Sequence, residues 1–348
     1  MADTRSTQYE VEYNAKDLIL YALSVGFGCS STTDELEYLY EQHENFNPLP
    51  TFCLALTFWA RSRDGNTMGI PSFPPPLMQK DDVIPRRFLR QQDLDLSNQP
   101  VIHTFQSIIW HRPMPIPSLE FVSGRCNGKV RTTISLETVA VQPKSIGTFV
   151  TTQSQIFAAE PAVEGRSNNN SCPLVCTMQS TALVFGVDSE SIIPYKSSSG
   201  TPKKQSKINV PKDRPPTLEW TFQTQPNQAL LYRLSSGDSN HIHVDNSAAE
   251  MLGTGKNVPL LHGLLTLAIA FRAVSKLASK NDRIHILEGK FTKPAFVGDE
   301  LLIKVWREDS SSVSRFIFIV LNKETGVTLI DRGLAEFGST SNSPMSKM

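Results

Sequence analysis

Apolar positions along this chain change their spacing several times, and each change marks an element. The clearest is residues 262–282, HGLLTLAIAFRAVSKLASKND, which are helix formers with no Pro or Gly after Gly263. Their first two turns are apolar almost all round, and a helix with no polar face must be buried on every side. Four shorter runs follow at 284–291, 299–308, 314–322 and 328–338, rich in β-branched and aromatic residues, with KETGV as a turn between the last two. A sheet curled around one buried helix hides the apolar surface of both. This is the hot-dog architecture.

The first half repeats the theme. Residues 49–65, LPTFCLALTFWARSRDG, form a shorter apolar helix candidate. Strand-like runs follow at 104–113, 118–128, 130–141, 147–158 and 174–187. WHRPMPIPS, from Trp110, echoes FTKPAFVGD, from Phe291, at the same offsets, and the Pro-rich 69–92 reads as an insertion in the first unit. The pattern predicts an α+β fold of two hot-dog units, each an antiparallel sheet around a central helix. Residues 1–187 form the first unit, 188–216 a linker rich in Ser, Pro and Lys, 217–338 the second unit, and 339–348 a polar tail.

Composition narrows the classes. Lys plus Arg and Asp plus Glu are equal at 34 each, so charge gives no reason to expect a nucleic-acid partner. The most apolar window, 264–271, is too short to span a bilayer, and the polar N-terminus lacks a secretory apolar run. The five scattered cysteines read as reduced thiols, not a disulfide framework. No Gly-x-Gly-x-x-Gly dinucleotide motif occurs.

The candidate chemistry lies in SSGDSNHIH. Asp238, Asn240 and His243 follow a Ser-Gly turn at spacing i, i+2, i+5. A carboxylate and an imidazole near one point can hold a water, one accepting a proton while the other donates. Asn240 offers both a donor and an acceptor to orient that water. His262 and Gly263 then open the buried helix, whose free N–H groups suit a carbonyl oxygen gaining charge. Together these point to addition or removal of water beside an activated carbonyl. Asp, Asn and Ser beside Gly also make ordinary turns, and spacing alone leaves both readings open. A metal set drawn from His241, His243, Asp245 and His262 lacks a Glu or Cys at a familiar ligand spacing, so no metal is expected. His262 itself reads as a satisfied core histidine that places Gly263.

The stretches YRLSSGDSNHIHVD and NVPLLHGLLT resemble the signature of the (R)-specific 2-enoyl-CoA hydratases, the type 2 or MaoC-like group, in the eukaryotic double hot-dog form found in peroxisomal multifunctional enzymes. RPPTLEWTFQTQPNQALLYRLS and GKFTKPAFVGDELLIKVW extend the likeness. DLILYALSVG, LEYLYEQHENFNPLPTF and IHTFQSIIWHRPMP carry it into the first half, so that it covers about 13–338. The chain departs from the pattern by an extra Ser in Ser235-Ser236, by Asn240-His241 where Asn-Pro is usual, and by a slightly longer LGTGKNVPLLHG. The resemblance implies reversible hydration of trans-2-enoyl-CoA to (R)-3-hydroxyacyl-CoA in fatty acid β-oxidation. It needs no cofactor beyond the acyl-CoA substrate, and it implies one active site per chain. It casts Asp238 and His243 as the acid/base pair on the water, Asn240 as its orienter and the Gly263 N–H as the support of the thioester oxygen. Glu41 matches a family acidic position, where a structural pairing with Arg233 competes with a direct role. Lys290 and Lys293 are candidates for the CoA phosphates. A degenerate first half implies a wide acyl tunnel and long or branched chains. Ser346-Lys347-Met348 is similar to a peroxisomal address read by an import receptor. A homodimer is left open. Two rivals remain: a hot-dog acyl-CoA thioesterase, attacking the thioester carbon, and a non-catalytic acyl-CoA-binding protein in which Asn240-His241 marks decay.

Overall fold

The computed structural model describes residues 6–28, 35–61, 83–91, 93–96, 99–117, 121–122, 125–126, 128–158, 172–198, 208–238, 240–247, 255–279, 282–308 and 313–339. The chain opens with β1 (Ser6–Tyr13), α1 (Ala15–Ser24), α2 (Leu36–Leu39) and α3 (Cys53–Arg61). It continues through β2 (Val101–Trp110), β3 (Phe121–Val122), β4 (Arg125–Cys126), β5 (Val130–Lys144), β6 (Gly147–Ala158), β7 (Leu174–Val184) and β8 (Tyr195–Lys196). The second half holds β9 (Leu218–Gln223), α4 (Gln228–Ser236), β10 (Leu260–Leu261), α5 (Gly263–Ser275), β11 (Asp282–Phe291), β12 (Ala295–Phe296), β13 (Glu300–Glu308), β14 (Ser314–Asn322) and β15 (Thr328–Ser339).

The two hot-dog halves join into one antiparallel sheet in the order β1-β5-β6-β7-β2-β11-β15-β14-β13-β9, with β8 added to β5. The seam is β2 against β11, from Ile109 opposite Ile286 to Phe105 opposite Lys290. Glu288 is fully buried at this seam, and Ser107 Oγ donates to its carboxylate at 3.3 Å. The double hot-dog expectation holds, with the two sheets fused.

α5 lies in the second half of the sheet and packs across β11, β13, β14 and β15. Every residue from Leu264 to Val274 is buried, as an all-round apolar helix requires. Residues of both halves, from Val11 and Phe52 to Leu265 and Phe337, form one core cluster. Burying eleven consecutive helical positions removes water from each side chain at about 25 cal/mol per Å² of apolar surface, which is what keeps α5 central.

Several elements were not read from the pattern. Residues 6–13, counted as a polar terminus, form an edge strand paired to β5. α1 and α4 appeared only within the resemblance. α1 is started by a capping box, in which the Asn14 side chain accepts from Asp17 N–H and the Asp17 side chain accepts from Asn14 N–H. The run 118–128 gives the two-residue strands β3 and β4, paired only to each other. The helix candidate 49–65 begins as a 3₁₀ turn at Pro50–Phe52 and becomes α3, described to Arg61. Most of the Pro-rich 69–92, the middle of the linker and the tail with Ser346-Lys347-Met348 lie outside the described residues. The linker's described ends are anchored: Ser197 Oγ donates to Glu137 at 3.3 Å, and Ile208 is buried with Ile317 and Leu334. Cys53, Cys172 and Cys176 are free thiols, and burial pushes the Cys53 thiol up, keeping it protonated. Among the described residues no helix is long and apolar enough to cross a membrane.

Candidate active site

α4 delivers the motif. Its last turn ends at Gly237, whose φ of +75° places it in the left-handed region, and the Gly237 N–H donates to the Arg233 carbonyl at 3.0 Å. A Cβ there would stand 2.9 Å from Trp59 Cδ1 on α3, so both backbone and space demand glycine. The extra serine has work to do: Ser236 Oγ accepts from the Asp238 N–H at 3.2 Å, while Ser235 Oγ meets Ser24 Oγ of α1 at 2.7 Å. Gln228 Nε2 donates to the Ser24 carbonyl at 2.5 Å, and the Tyr21 and Tyr232 rings lie 5.9 Å apart. The first half thus braces the helix that aims the site.

Beyond Gly237 the chain makes two short turns. The Asp238 carboxylate accepts from the Asn240 N–H at 3.1 Å. The Asn240 side-chain oxygen accepts from the Ile242 N–H at 3.3 Å and caps a 3₁₀ turn, His241–His243. That turn swings His243 inward until it is buried, with Nδ1 2.9 Å from the Leu260 carbonyl. Leu260 lies on β10, paired to β12, and the next residues are His262 and Gly263 at the mouth of α5. The His243 and His262 rings stack at 3.7 Å between centroids, with their planes 23° apart. Tyr232 lies 4.9 Å from His262. Ligand-type atoms of Asp238, His243 and His262 all fall within 4.8 Å of one another.

Protonation follows from these contacts. A carbonyl only accepts, so His243 Nδ1 carries the proton, and in the neutral ring Nε2 presents its lone pair. Burial holds His243 below the ordinary imidazole range, partly offset by the Asp238 charge and the Leu260 carbonyl. Burial pushes His262 further down, helped by the charge that His243 would carry and by Arg233, against a smaller opposing pull from the Asp238 backbone. Both rings are neutral near pH 7. Gly263 is the first residue of α5, so its N–H has no intrahelical acceptor. Its Cα faces the Phe291 ring closely enough that a Cβ would meet that ring at 3.3 Å.

The structure brings together Asp238, His243 and Gly263, with Asn240 exposed beside them and its side-chain oxygen capping the turn that carries His243. Lys290 and Lys293 flank Phe291, half-buried and exposed respectively, near the mouth of α5. Glu41 stands half-buried in a turn after α2, and among the described residues no ion pair joins it to Arg233. The buried pair formed by this region is Glu35 with Arg272. His262 corrects its sequence reading. It is buried, and its ring nitrogens make no hydrogen bond of ordinary length within the protein, the Asp238 backbone being the near polar group that draws on it. Its place between the motif and Gly263 was the available signal.

The donor set also differs from the one weighed from sequence. His241 and Asp245 are exposed, and the Asp245 carboxylate accepts from the Ser247 N–H at 2.8 Å. A carboxylate and two imidazoles are ligand types for zinc, but stacked rings hold their in-plane lone pairs in separate planes. A hydrogen-bonded water, held at greater length and with broader angles, suits the same atoms.

The chain is similar to known proteins along most of its length. Residues 206–328 match the MaoC like domain, and residues 11–78 match the MFE-2 hydratase 2 N-terminal domain. The peroxisomal enoyl-CoA hydratase 2 of Arabidopsis thaliana is 25% identical over 305 residues, covering 85% of this chain and 82% of the plant protein. The peroxisomal multifunctional enzyme type 2 of Drosophila melanogaster is 27% identical over 90% of this chain, which spans 44% of that longer enzyme. Among solved structures, a MaoC-like dehydratase from Phytophthora capsici superimposes with a TM-score of 0.68 at 25% identity, over 97% of this chain and 96% of that one.

Proposed function

We propose, from the premise that this chain belongs to the MaoC-like hydratases of type 2, that Asp238, His243 and the Gly263 N–H are its catalytic groups. The protein is a peroxisomal enoyl-CoA hydratase: it adds water reversibly to trans-2-enoyl-CoA, giving (R)-3-hydroxyacyl-CoA in β-oxidation. The observation that carries the residue assignment is the convergence of a carboxylate and a neutral imidazole beside the free N-terminus of a buried helix. Water sits between Asp238 and His243. Its oxygen bonds to C3 while one of its protons passes to the pair, and the C2–C3 π electrons move toward the thioester oxygen. The Gly263 N–H and the positive end of α5 stabilise that oxygen. The electrons return as C2 takes a proton from the pair, so the net addition is H at C2 and OH at C3.

Asn240 serves by holding the turn that carries His243. Lys290 and Lys293 meet the CoA phosphates at the mouth, Arg233 and Glu41 are structural, and long or branched acyl chains are the substrates. Import depends on Ser346-Lys347-Met348, and a fluorescent fusion lacking those residues would still reach peroxisomes if that reading is wrong. The decisive test follows loss of enoyl absorbance and release of free thiol on one enoyl-CoA, with wild type, Asp238→Ala and His243→Ala. Wild type consumes the enoyl group without releasing thiol, and each variant is at least about 100-fold slower. Full activity in both variants would sink the residue assignment, and thiol release would mark a thioesterase.

A further inference from the structure

The donor assigned to the thioester oxygen stands against an aromatic ring that the mechanism above leaves unused. Phe291 closes β11 and is half-buried. Its Cδ1 and Cε1 are the first atoms a Cβ on Gly263 would meet, each at 3.3 Å, so the ring is seated on the Gly263 Cα. Gly263 does not lie at positive φ, and the backbone at that position would accept alanine. The ring is what asks for glycine. The Gly263 N–H has no intrahelical acceptor, and the preceding His262 supplies no side-chain cap. Such a donor is open to water as well as to a thioester oxygen. A ring covering one flank narrows the space in which water competes, and a drier donor acts more strongly on developing charge.

The first half of the chain holds that ring in place. The His103 and Phe291 rings lie 4.9 Å apart with their planes at 47°. A β-bulge makes the contact. β2 pairs with β7 one residue to one, Ile108 opposite Met178 and Gln106 opposite Ser180, until Thr104 drops out of the pairing and His103 stands opposite Ala182. Ile108 and Met178 belong to the core, so this row faces inward. In a regular strand His103, an odd interval from Ile108, would point outward, and the extra residue turns it in. The Thr104 hydroxyl pins the bulge by donating to the Thr181 carbonyl at 3.0 Å. His103 Nε2 lies 2.8 Å from the Phe105 carbonyl, which only accepts and so fixes the ring by its N–H. Phe105 in turn pairs with Lys290 across the seam. The two strands therefore carry the two rings to one place.

We propose that Phe291 is a positioning residue for the Gly263 N–H and that His103 is the first half's contribution to it. The imidazole props the Phe291 ring on Gly263, and the ring fixes the course of the N–H and keeps water off its flank. This rests on the hydratase reading. It gives the first half a part in stabilising the enolate that needs no acid or base of its own.

Kinetics and one spectroscopic signature separate this role from packing. The signature is the infrared stretch of the thioester carbonyl of bound trans-2-enoyl-CoA, isolated by isotope labelling, which falls in frequency when an aimed donor polarises the bond. Phe291→Ala should lower kcat about 30-fold, part of what a whole oxyanion donor supplies, with KM within about threefold and most of the frequency shift lost. Phe291→Leu keeps apolar cover on Gly263 and should recover to within about fivefold of wild type. His103→Ala should be about tenfold slower, while His103→Phe, which keeps a ring against Phe291, should stay within about threefold. Gly263→Ala should be slower alone yet add little to Phe291→Ala, because its clash is with the ring. A Phe291→Ala variant with wild-type kcat overturns the proposal, and so does one that is slowed while the bound carbonyl keeps its full shift. His103→Phe as slow as His103→Ala removes His103 from it. Should wild type polarise the bound carbonyl and yet fail to hydrate the enoyl group, the hydratase reading falls instead and the donor stands.

Discussion

The two ends of α5 both bury a nitrogen-rich side chain, and they treat it in opposite ways. At the C-terminal end, Arg272 donates from Nη1 to the Gly26 carbonyl at 2.7 Å and from Nη2 to Glu35, whose second oxygen accepts from the Gly28 N–H at 2.7 Å. Phe27 and Trp220 lie against its guanidinium at 4.6 and 5.5 Å. The charge is answered from every side but Nε. At the N-terminal end, His262 is just as deeply buried and neither nitrogen makes a hydrogen bond of ordinary length. Burial alone therefore does not tell how a polar group is held: one end of α5 closes nearly every bond of its charge within the protein, and the other sets a neutral ring against rings.

The sharpest way to break this contrast is at the answered end. Arg272→Ala leaves the Glu35 carboxylate buried and unpaired, and should cost about 3–5 kcal/mol in denaturant unfolding, while the folded fraction keeps its kcat. Arg272→Met combined with Glu35→Leu should recover most of that loss. If the single variant is as stable as wild type, the pair is not the structural clasp described. At the open end, His243→Gln should reverse the pattern, slowing hydration about 100-fold, close to 2.7 kcal/mol of barrier, with stability within about 1 kcal/mol of wild type. Gly237→Ala joins the two kinds of effect. It forces a side chain into positive φ and onto Trp59, so about 1–3 kcal/mol of stability and part of the activity should go together. Parallel unfolding and kinetic measurements on that one variant would check it.

The smallest expected effect is in pH. His243 and His262 both have folded values below the unfolded value of about 6.5. The unfolded chain then binds more protons, so their contribution is full above about pH 6.5 and is lost as pH falls below it, by at most about 1.4 kcal/mol per pH unit per group. His262→Phe should flatten that slope, as read from unfolding midpoints between pH 7 and pH 5. A slope unchanged by the substitution would show that His262 takes up no proton on unfolding.

Much of this was legible in sequence because local chemistry decides it. An apolar face all round α5 admits only a buried helix, and Ser-Gly before Asp238 admits a sharp turn. The choice of buried acid was not legible. Glu41 and Glu35 lie six positions apart in one acidic stretch, and nothing in spacing favours either. The choice falls to Glu35 because Gly26 and Gly28, at φ of +93° and +79°, lead the chain out of α1 toward Arg272. The surroundings of His262 were hidden for the same reason: buried histidines look alike in sequence, and what meets this ring is set by the turn that brings in His243 from 19 positions earlier (262 − 243).

The β2–β11 seam sets a schedule for the newborn chain. Ser107 and Glu288 are 181 positions apart. At about 5–20 residues per second, a ribosome needs roughly 10–40 s to bring the second after the first. For that interval the first half carries β2 as an open edge, a row of N–H and C=O groups able to pair with any extended strand nearby. Neighbouring nascent chains on one message would present the same strand to each other. The fused sheet, whose borders among the described residues are β1 and β8 at one side and β9 at the other, is thus obtained at the expense of a window in which the first half must wait, shielded or solitary, for its partner strand.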